Sequence, residues 1–286
     1  MYGSSEVIHK DITLNMDFDV NAHQTAEIDL STLRLLILKD VTSNLLTFTA
    51  KSTNEGSCNI VFTMNSLTSC HPCILCGPVL NSDGMKDNNT KAGELLTKRA
   101  ADMRMMAQHK YGVQIKPNAS WKIYFEKLGR AAVTIEMLSN KPLKALKLNM
   151  HDLQTANKAV LFKELHKRIS EGIYPSLPDI EDVDFSVLNQ PEEWELFYVY
   201  ILQFPITIKH CIRDIEKGTV NPQYLISFLS SLSSVFSAYY RRVRILTDPR
   251  EHLFGILHAR VYLLEAVQCV FHNALFLLNI EPIKEM

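Results

Sequence analysis

Three cysteines at a spacing of three, Cys70-x-x-Cys73-x-x-Cys76, with His71 between the first two, form the tightest cluster of potential ligands in this sequence. A tetrahedral zinc centre needs four thiolate or imidazole ligands, usually supplied as two separated pairs. Here the second pair is missing, and Cys58 or His109 are the remaining sources of a fourth ligand. The run Ile74-Leu75-Cys76-Gly77-Pro78-Val79 reads instead as a buried strand on which cysteine packs as a small hydrophobe, so no metal is assigned. The phosphate-cradling glycine motifs, the His-Glu-x-x-His zinc motif and the Gly-x-Ser-x-Gly nucleophile turn are absent, and no cofactor is expected. The ten histidines are scattered, with His252, His258 and His272 on the last helix as rim or satisfied polar residues.

A second concentration of chemistry is cationic. Tyr239-Tyr240-Arg241-Arg242-Val243-Arg244 ends a helical pattern, and Arg250, His252 and Arg260 follow. Guanidinium groups bind phosphates bidentately, and neighbouring tyrosines can stack on unpaired bases. Cations also favour the negative end of a helix dipole, so composition alone favours solvated arginines capping the helix over contact with nucleic acid.

These side chains must be carried by the following elements. Leu33–Leu38, Leu45–Ala50, Asn59–Met64 and Cys73–Leu80 are short, apolar or β-branched runs separated by Asn, Ser, Gly or Thr clusters, which predicts four strands. Residues 81–91 form a polar loop. Helices are expected over Ala92–Tyr111, ended by Gly112, and over Trp121–Ser139. Beyond Pro142 the pattern is helical throughout: Lys158–Ser170, a helix opened by Asn189-Gln190-Pro191 and interrupted at Pro205, Gln223–Leu246, and Glu251–Asn279. The fold class is therefore α+β, with a small degenerate α/β part over residues 1–140 followed by an all-α helix bundle over residues 150–286.

The composition, 47% hydrophobic and 21% charged, is that of a globular chain able to bury a core. The net charge of -1 hides an uneven distribution. Residues 1–90 hold 5 basic against 10 acidic residues, residues 91–150 hold 12 against 4, and residues 151–286 hold 13 against 17. The basic middle, 91–150, suggests a polyanion partner. No run reaches the roughly 18 apolar residues of a membrane span, so a membrane is not expected. The acidic first thirty residues are unlike a targeting peptide, and the cysteine usage is unlike a disulfide scaffold, so the expected setting is cytoplasmic.

Phe236-Ser-Ala-Tyr239-Tyr240-Arg-Arg-Val243-Arg244-Ile-Leu246, Ala259-Arg260-Val-Tyr-Leu-Leu264-Glu-Ala266-Val267, Ala274-Leu275-Phe-Leu-Leu278-Asn-Ile280-Glu-Pro282 and the terminal Met286 resemble the DALR anticodon-binding domain that ends arginyl-tRNA synthetases. Asn279 stands where that family more often has Gly. Cys76-Gly77-Pro78-Val79, Ala132–Ser139, Glu171–Pro175, Asp184-Phe185-Ser186, Glu193-Trp194 and Arg244–Gly255 are similar to a branch of the family with a degenerate synthetase-like front half. Neither synthetase signature, His-x-Gly-His or Lys-Met-Ser-Lys-Ser, is present. That resemblance implies a non-catalytic adaptor that recognises arginine tRNAs and presents the anticodon arm to a methyltransferase-like 2 enzyme. The partner would supply S-adenosylmethionine and form 3-methylcytidine. Within that reading, residue chemistry and position point to anticodon-arm contacts at Tyr239, Tyr240, Arg241, Arg244, Arg250 and Arg260, joined by Met286 from its match to the family terminus, with phosphate contacts at Lys98, Arg99, Arg104, Lys122 and Lys127. For Arg260, which sits amid core positions, an internal helix-pairing role is the alternative. Two other functions remain open: an arginine-tRNA ligase-like fragment dependent on ATP, and a protein-docking module that binds no tRNA.

Overall fold

The computed structural model describes residues 7–17, 26–65, 72–81, 83–111, 119–147, 165 and 167–282. Its first elements are β1 (Val7–Met16), α1 (Leu30–Thr49), β2 (Ala50–Thr63) and β3 (Cys73–Leu75). The strands lie in the order β1-β2-β3, all parallel. Parallel neighbours cannot be joined by a tight turn, and α1 is the crossover between β1 and β2. The register runs from Val7 opposite Ala50 to Met16 opposite Phe62, with one irregularity between Lys10 and Asp11.

Leu33–Leu38 and Leu45–Ala50, expected as strands, are instead the two halves of α1, apart from Ala50 itself. The cause is burial. Leu30, Leu33, Leu35, Leu38, Val41, Leu45, Leu46 and Phe48 are all inside, and up to Leu35 the polar Ser31, Thr32 and Arg34 are buried with them, so the first half has no solvent side. A narrow polar edge appears only with Asp40, Ser43 and Thr47, and short apolar runs do not distinguish a buried helix from a buried strand. Its start is set by Asp29, whose Oδ1 accepts from the Ser31 and Thr32 amides at 2.9 and 3.0 Å, and whose Oδ2 accepts from the Thr32 hydroxyl at 2.9 Å. Within the helix, the Thr42 and Thr49 hydroxyls donate back to the carbonyls of Leu38 and Leu45, which satisfies them in an apolar setting.

One charged side chain lies wholly within this packing. Arg34 donates from Nε to Met137 O at 3.0 Å, from Nη1 to Gly77 O and Lys144 O at 2.8 and 2.7 Å, and from Nη2 to Lys141 O at 3.3 Å. Burial pulls its pKa below the ordinary value. The four carbonyls belong to the end of α3 (Ala119–Leu138), the turn at 141–144 and the segment joining β3 to β4 (Val79–Leu80). A single guanidinium thus ties α1 to three segments distant in sequence. β4 pairs in parallel with β5 (Leu146–Lys147) beside it.

α2 (Ala92–Tyr111) and α3 form a hairpin, as expected from the sequence. A methyl group on Gly129 would lie 2.7 Å from the Ala100 amide nitrogen, so glycine is what lets the two helices approach. The bundle follows: α4 (Pro191–Glu195), a π-helical continuation over Leu196–Ile201, α5 (Phe204–Ile212), α6 (Gln223–Arg242) and α7 (Glu251–Leu277). The expected break at Pro205 is present. Its ring would collide with a carbonyl one turn back, and the widened turn before it, with Leu202 N–H donating to Phe197 O at 2.9 Å, relieves that conflict. Most of the expected helix Lys158–Ser170 lies outside the described residues, and 167–170 are helical.

Gly218, at φ 76°, ends this segment, and a side chain there would sit 2.4 Å from the Cys73 carbonyl oxygen of β3. α7 is long and apolar enough to cross a membrane by length and composition, and one side of it is buried against the other elements through Val261, Leu264, Val267 and Ala274. Its end is capped across the molecule, since Asn44 of α1 donates to Phe276 O and Leu277 O at 3.4 and 3.3 Å. Asn279 then adopts φ 55°, a left-handed conformation that Asn tolerates better than most residues. One continuous cluster of buried residues runs from Leu35 on α1 through Phe62 and Ile74 to Phe204, Phe236 and Leu277.

Arg34→Met should lower the unfolding free energy by more than about 3 kcal/mol, because buried carbonyls left without donors each cost roughly 1–3 kcal/mol. A urea midpoint equal to the parent's would refute the role of the guanidinium. Asp29→Ala should cost about 1 kcal/mol near neutral pH. Burial opposes the Asp29 charge, but hydrogen bonds from Thr32 and Ser31 outweigh it and hold the carboxyl below its usual pKa. The contribution is therefore complete above the ordinary Asp range and is lost as pH falls through the depressed folded value, which urea titrations across acidic pH would follow.

Candidate nucleic-acid interface

The cationic end of α6 is held by a carboxylate that sequence reading left unassigned. Pro191 opens α4 with the fixed backbone angle a first helical turn needs, which places Glu193 in that turn. Its Oε2 accepts from the Gln190 amide at 2.9 Å. Its Oε1 accepts from the Tyr239 hydroxyl at 3.0 Å and from Arg260 Nε at 2.7 Å. Arg260 continues through Nη1 to the Arg244 carbonyl at 3.1 Å. Glu193 and Tyr239 are 0% exposed and Arg260 is 7% exposed. Burial, then the neighbouring Glu193 charge, pushes the Tyr239 hydroxyl far above its normal pKa, so it stays protonated and donates.

Tyr239 and Arg260 therefore do not reach the surface as anticodon-arm contacts. Their polar atoms are committed to Glu193 inside the bundle, and the internal helix-pairing alternative describes Arg260. Arg99 is corrected in the same way. Its guanidinium bridges Glu136 of α3 at 3.0 Å and Asp102 of α2 at 3.0 Å, and all three side chains are largely buried. Burial opposes its charge, but the two carboxylates prevail and its pKa is raised.

What the buried clasp presents is a rim of exposed cations. Arg241 donates from Nε to the Ser237 carbonyl at 3.1 Å and leaves its other nitrogens outward. Arg242 pairs with Glu192. Arg244 donates to Leu246 O at 3.1 Å and lies 3.2 Å from Asp248, while Arg250 approaches the same carboxylate at 4.0 Å. The Arg244 and Arg250 side chains are 72% and 66% exposed. Two guanidinium groups sharing one carboxylate leave a net positive site, and exposed ion pairs are weak enough to be exchanged for phosphate. Tyr240 is half-buried and stacks on Phe236, with ring centroids 5.8 Å apart. Met286 lies outside the described residues.

A buttress lies behind the rim. Tyr174 donates to the Thr247 carbonyl at 2.5 Å, and Arg168 packs over the Tyr174 ring at 5.8 Å, so the turn carrying Asp248 and Arg250 is tied to the segment before α4. On the α2–α3 hairpin, Lys98 and Lys122 are exposed, Lys127 pairs with Glu281, and Arg104 is partly buried. Of the cysteine cluster, Cys70 and His71 lie outside the described residues, while burial raises the pKa of the Cys76 thiol. Among the described residues no group of three His, Cys, Asp or Glu is placed to hold a metal.

Glu193 was the residue missed. The signal for it was local: a Glu two residues after a helix-opening Pro, where a side chain can reach back to the cap amide. Its long-range partners left no trace in the spacing.

Residues 162–286 match the DALR anticodon binding domain model. The fold agrees: the structure of Thermus thermophilus arginyl-tRNA synthetase superposes with a TM-score of 0.54 at 17% identity, covering 81% of this chain and 41% of that one. Among curated proteins the chain is similar to DALR anticodon-binding domain-containing protein 3 of Rattus norvegicus, 31% identical over 230 residues. The Mus musculus protein of the same name is 31% identical over 232 residues. Each match covers 74% of this chain and 43% of the relative, so the chain spans less than half the length of these relatives.

Glu193→Ala should destabilise the chain by about 3–5 kcal/mol, because it strands a buried guanidinium. Tyr239→Phe, which removes one donor, should cost only about 1 kcal/mol. Equal losses in denaturant titrations would show that the charge pair is not the dominant contact.

Proposed function

We propose that this chain binds tRNA by the anticodon arm through the exposed rim Arg241, Arg244 and Arg250, with Tyr240 beside it. The observation that carries this reading is the rim itself: cations fixed at the ends of α6 and α7 by a buried clasp, within the stretch that matches an anticodon binding domain. Phosphates are recognised by such preset guanidinium groups, and a half-buried ring offers a face to an unstacked base. Lys98, Lys122 and Lys127 form a separate set of cations on the hairpin, Lys127 being paired with Glu281 beyond the end of α7 opposite to Arg250. Residues 150–286 are the grip and residues 1–140 its support.

In the finer form of the proposal the tRNAs are arginine isoacceptors and the chain is a cytoplasmic adaptor that acts without a membrane. It presents the anticodon loop to a methyltransferase-like 2 enzyme, which supplies the methyl donor for 3-methylcytidine. Ligation is not part of it: the 286 residues contain neither synthetase signature, and ATP–pyrophosphate exchange should stay at background.

Titration against arginine and non-arginine tRNAs at several salt concentrations tests the grip. The parent should prefer arginine tRNAs, with log affinity falling linearly in log salt. Arg244→Glu with Arg250→Glu should weaken binding at least about tenfold and flatten the salt slope by roughly 1–2. Unchanged binding in a variant that melts like the parent would remove these residues from the interface.

A further inference from the structure

The helix that carries Glu193 has a second face. Leu196, Tyr200, Ile201, Phe204, Ile208, Cys211 and Ile212 point into the core. On the outside, Tyr198, Val199, Leu202 and Ile206 are 55%, 48%, 44% and 43% exposed. A surface helix ordinarily turns charged and polar residues to that side. Tyr198 is fixed in place, stacked on Trp194 at 5.8 Å and met edge-on by Phe197 at 5.2 Å.

The order along this face is informative. Exposed positions 195, 199, 202, 206, 209 and 213 recur at alternating steps of four and three across α4, the π-helical turn and α5, and so follow one side of this run. The three middle positions are Val199, Leu202 and Ile206. Glu195 stands at one end, and Lys209 and Arg213 stand at the other. The acid and the cations are thus separated by the length of the apolar stretch.

We propose that this face is where two copies of the chain meet, with their α4–α5 helices antiparallel. The charge order selects both partner and direction. In an antiparallel pair, the Glu195 end of each copy lies against the Lys209 and Arg213 end of the other, and twofold symmetry forms the contact twice. A parallel pair would set Glu195 against Glu195 and cation against cation. Arg213 also lies 3.6 Å from Asp214, an exposed pair that contributes little and does not hold it back. A seam of one helix per copy falls below the area of a standard interface, so dissociation constants of about 1–50 µM are expected. None of these residues belongs to the proposed tRNA grip, and the two readings stand or fall separately.

Sedimentation velocity of the full chain over about 1–200 µM tests the pairing. The parent should pass from monomer to dimer, and Ile206→Asp should weaken association at least about tenfold while the melting temperature holds. Charge exchange supplies the second arm. Glu195→Lys alone and Lys209→Glu with Arg213→Glu alone should each self-associate at least about tenfold more weakly, whereas an equimolar mixture of the two should form a heterodimer as tight as the parent. A parent that stays monomeric throughout overturns the proposal and leaves the face to a different protein. So does a dimer indifferent to Ile206→Asp, or a charge-exchanged mixture that fails to pair.

Discussion

Burying a carboxylate costs several kcal/mol unless its oxygens find donors, and Glu193 meets that condition with one local donor and two from distant places in the chain. The Gln190 amide, the Tyr239 hydroxyl and the Arg260 guanidinium converge on it, and Arg260 passes the connection on to the carbonyl of Arg244. Each contact constrains a different helix, so the angle between α4, α6 and α7 is set by a group that no solvent reaches. The exposed arginines inherit their positions from this arrangement. A flexible cationic tail could attract a polyanion as well, but it would have to lose backbone freedom on binding that the folded backbone beneath this rim has already lost.

The front of the chain is joined to the bundle by comparable means. Arg34 gathers four carbonyls from the α3 end and its neighbouring turns, while Asn44 on the same helix closes the end of α7. α1 therefore has two attachments: one end belongs to the α/β part and the other to the bundle, with the same buried cluster running between them. The Gly218 contact with the β3 carbonyl adds a third junction where only a backbone without a side chain fits. Rigidity across this boundary is a property of polar contacts that fix orientation, laid over apolar packing that supplies most of the free energy.

Much of this was legible in the residues, and the misses have a common physical cause. α2, α3, α6 and α7 have a solvent side, so their apolar residues recur with helical spacing and their ends carry Gly or Pro. The first half of α1 has no solvent side and its second half only a narrow one at Asp40, Ser43 and Thr47, and its apolar runs read as strands. The cationic rim was legible as a set of residue types, yet type does not separate Arg244, which faces water, from Arg260, which does not. The partner that withdraws Arg260 lies 67 residues away and the one that withdraws Tyr239 lies 46 away, distances over which local pattern carries no information. Arg99 was misread for the same reason, its carboxylate being on the facing helix 37 residues on.

The almost fully covered state of α1 has a consequence for how the chain is made. Synthesis proceeds from the N-terminus at about 5–20 residues per second, and α7, which helps cover α1, is completed roughly 200 residues later. For some tens of seconds the broad buried side of α1 is on the ribosome without part of its cover. During that interval the nascent chain is a substrate for holding chaperones. A ribosome stalled before α7 would release a product in which α1 can pack on β2 and α3 but lacks the cover that α7 supplies.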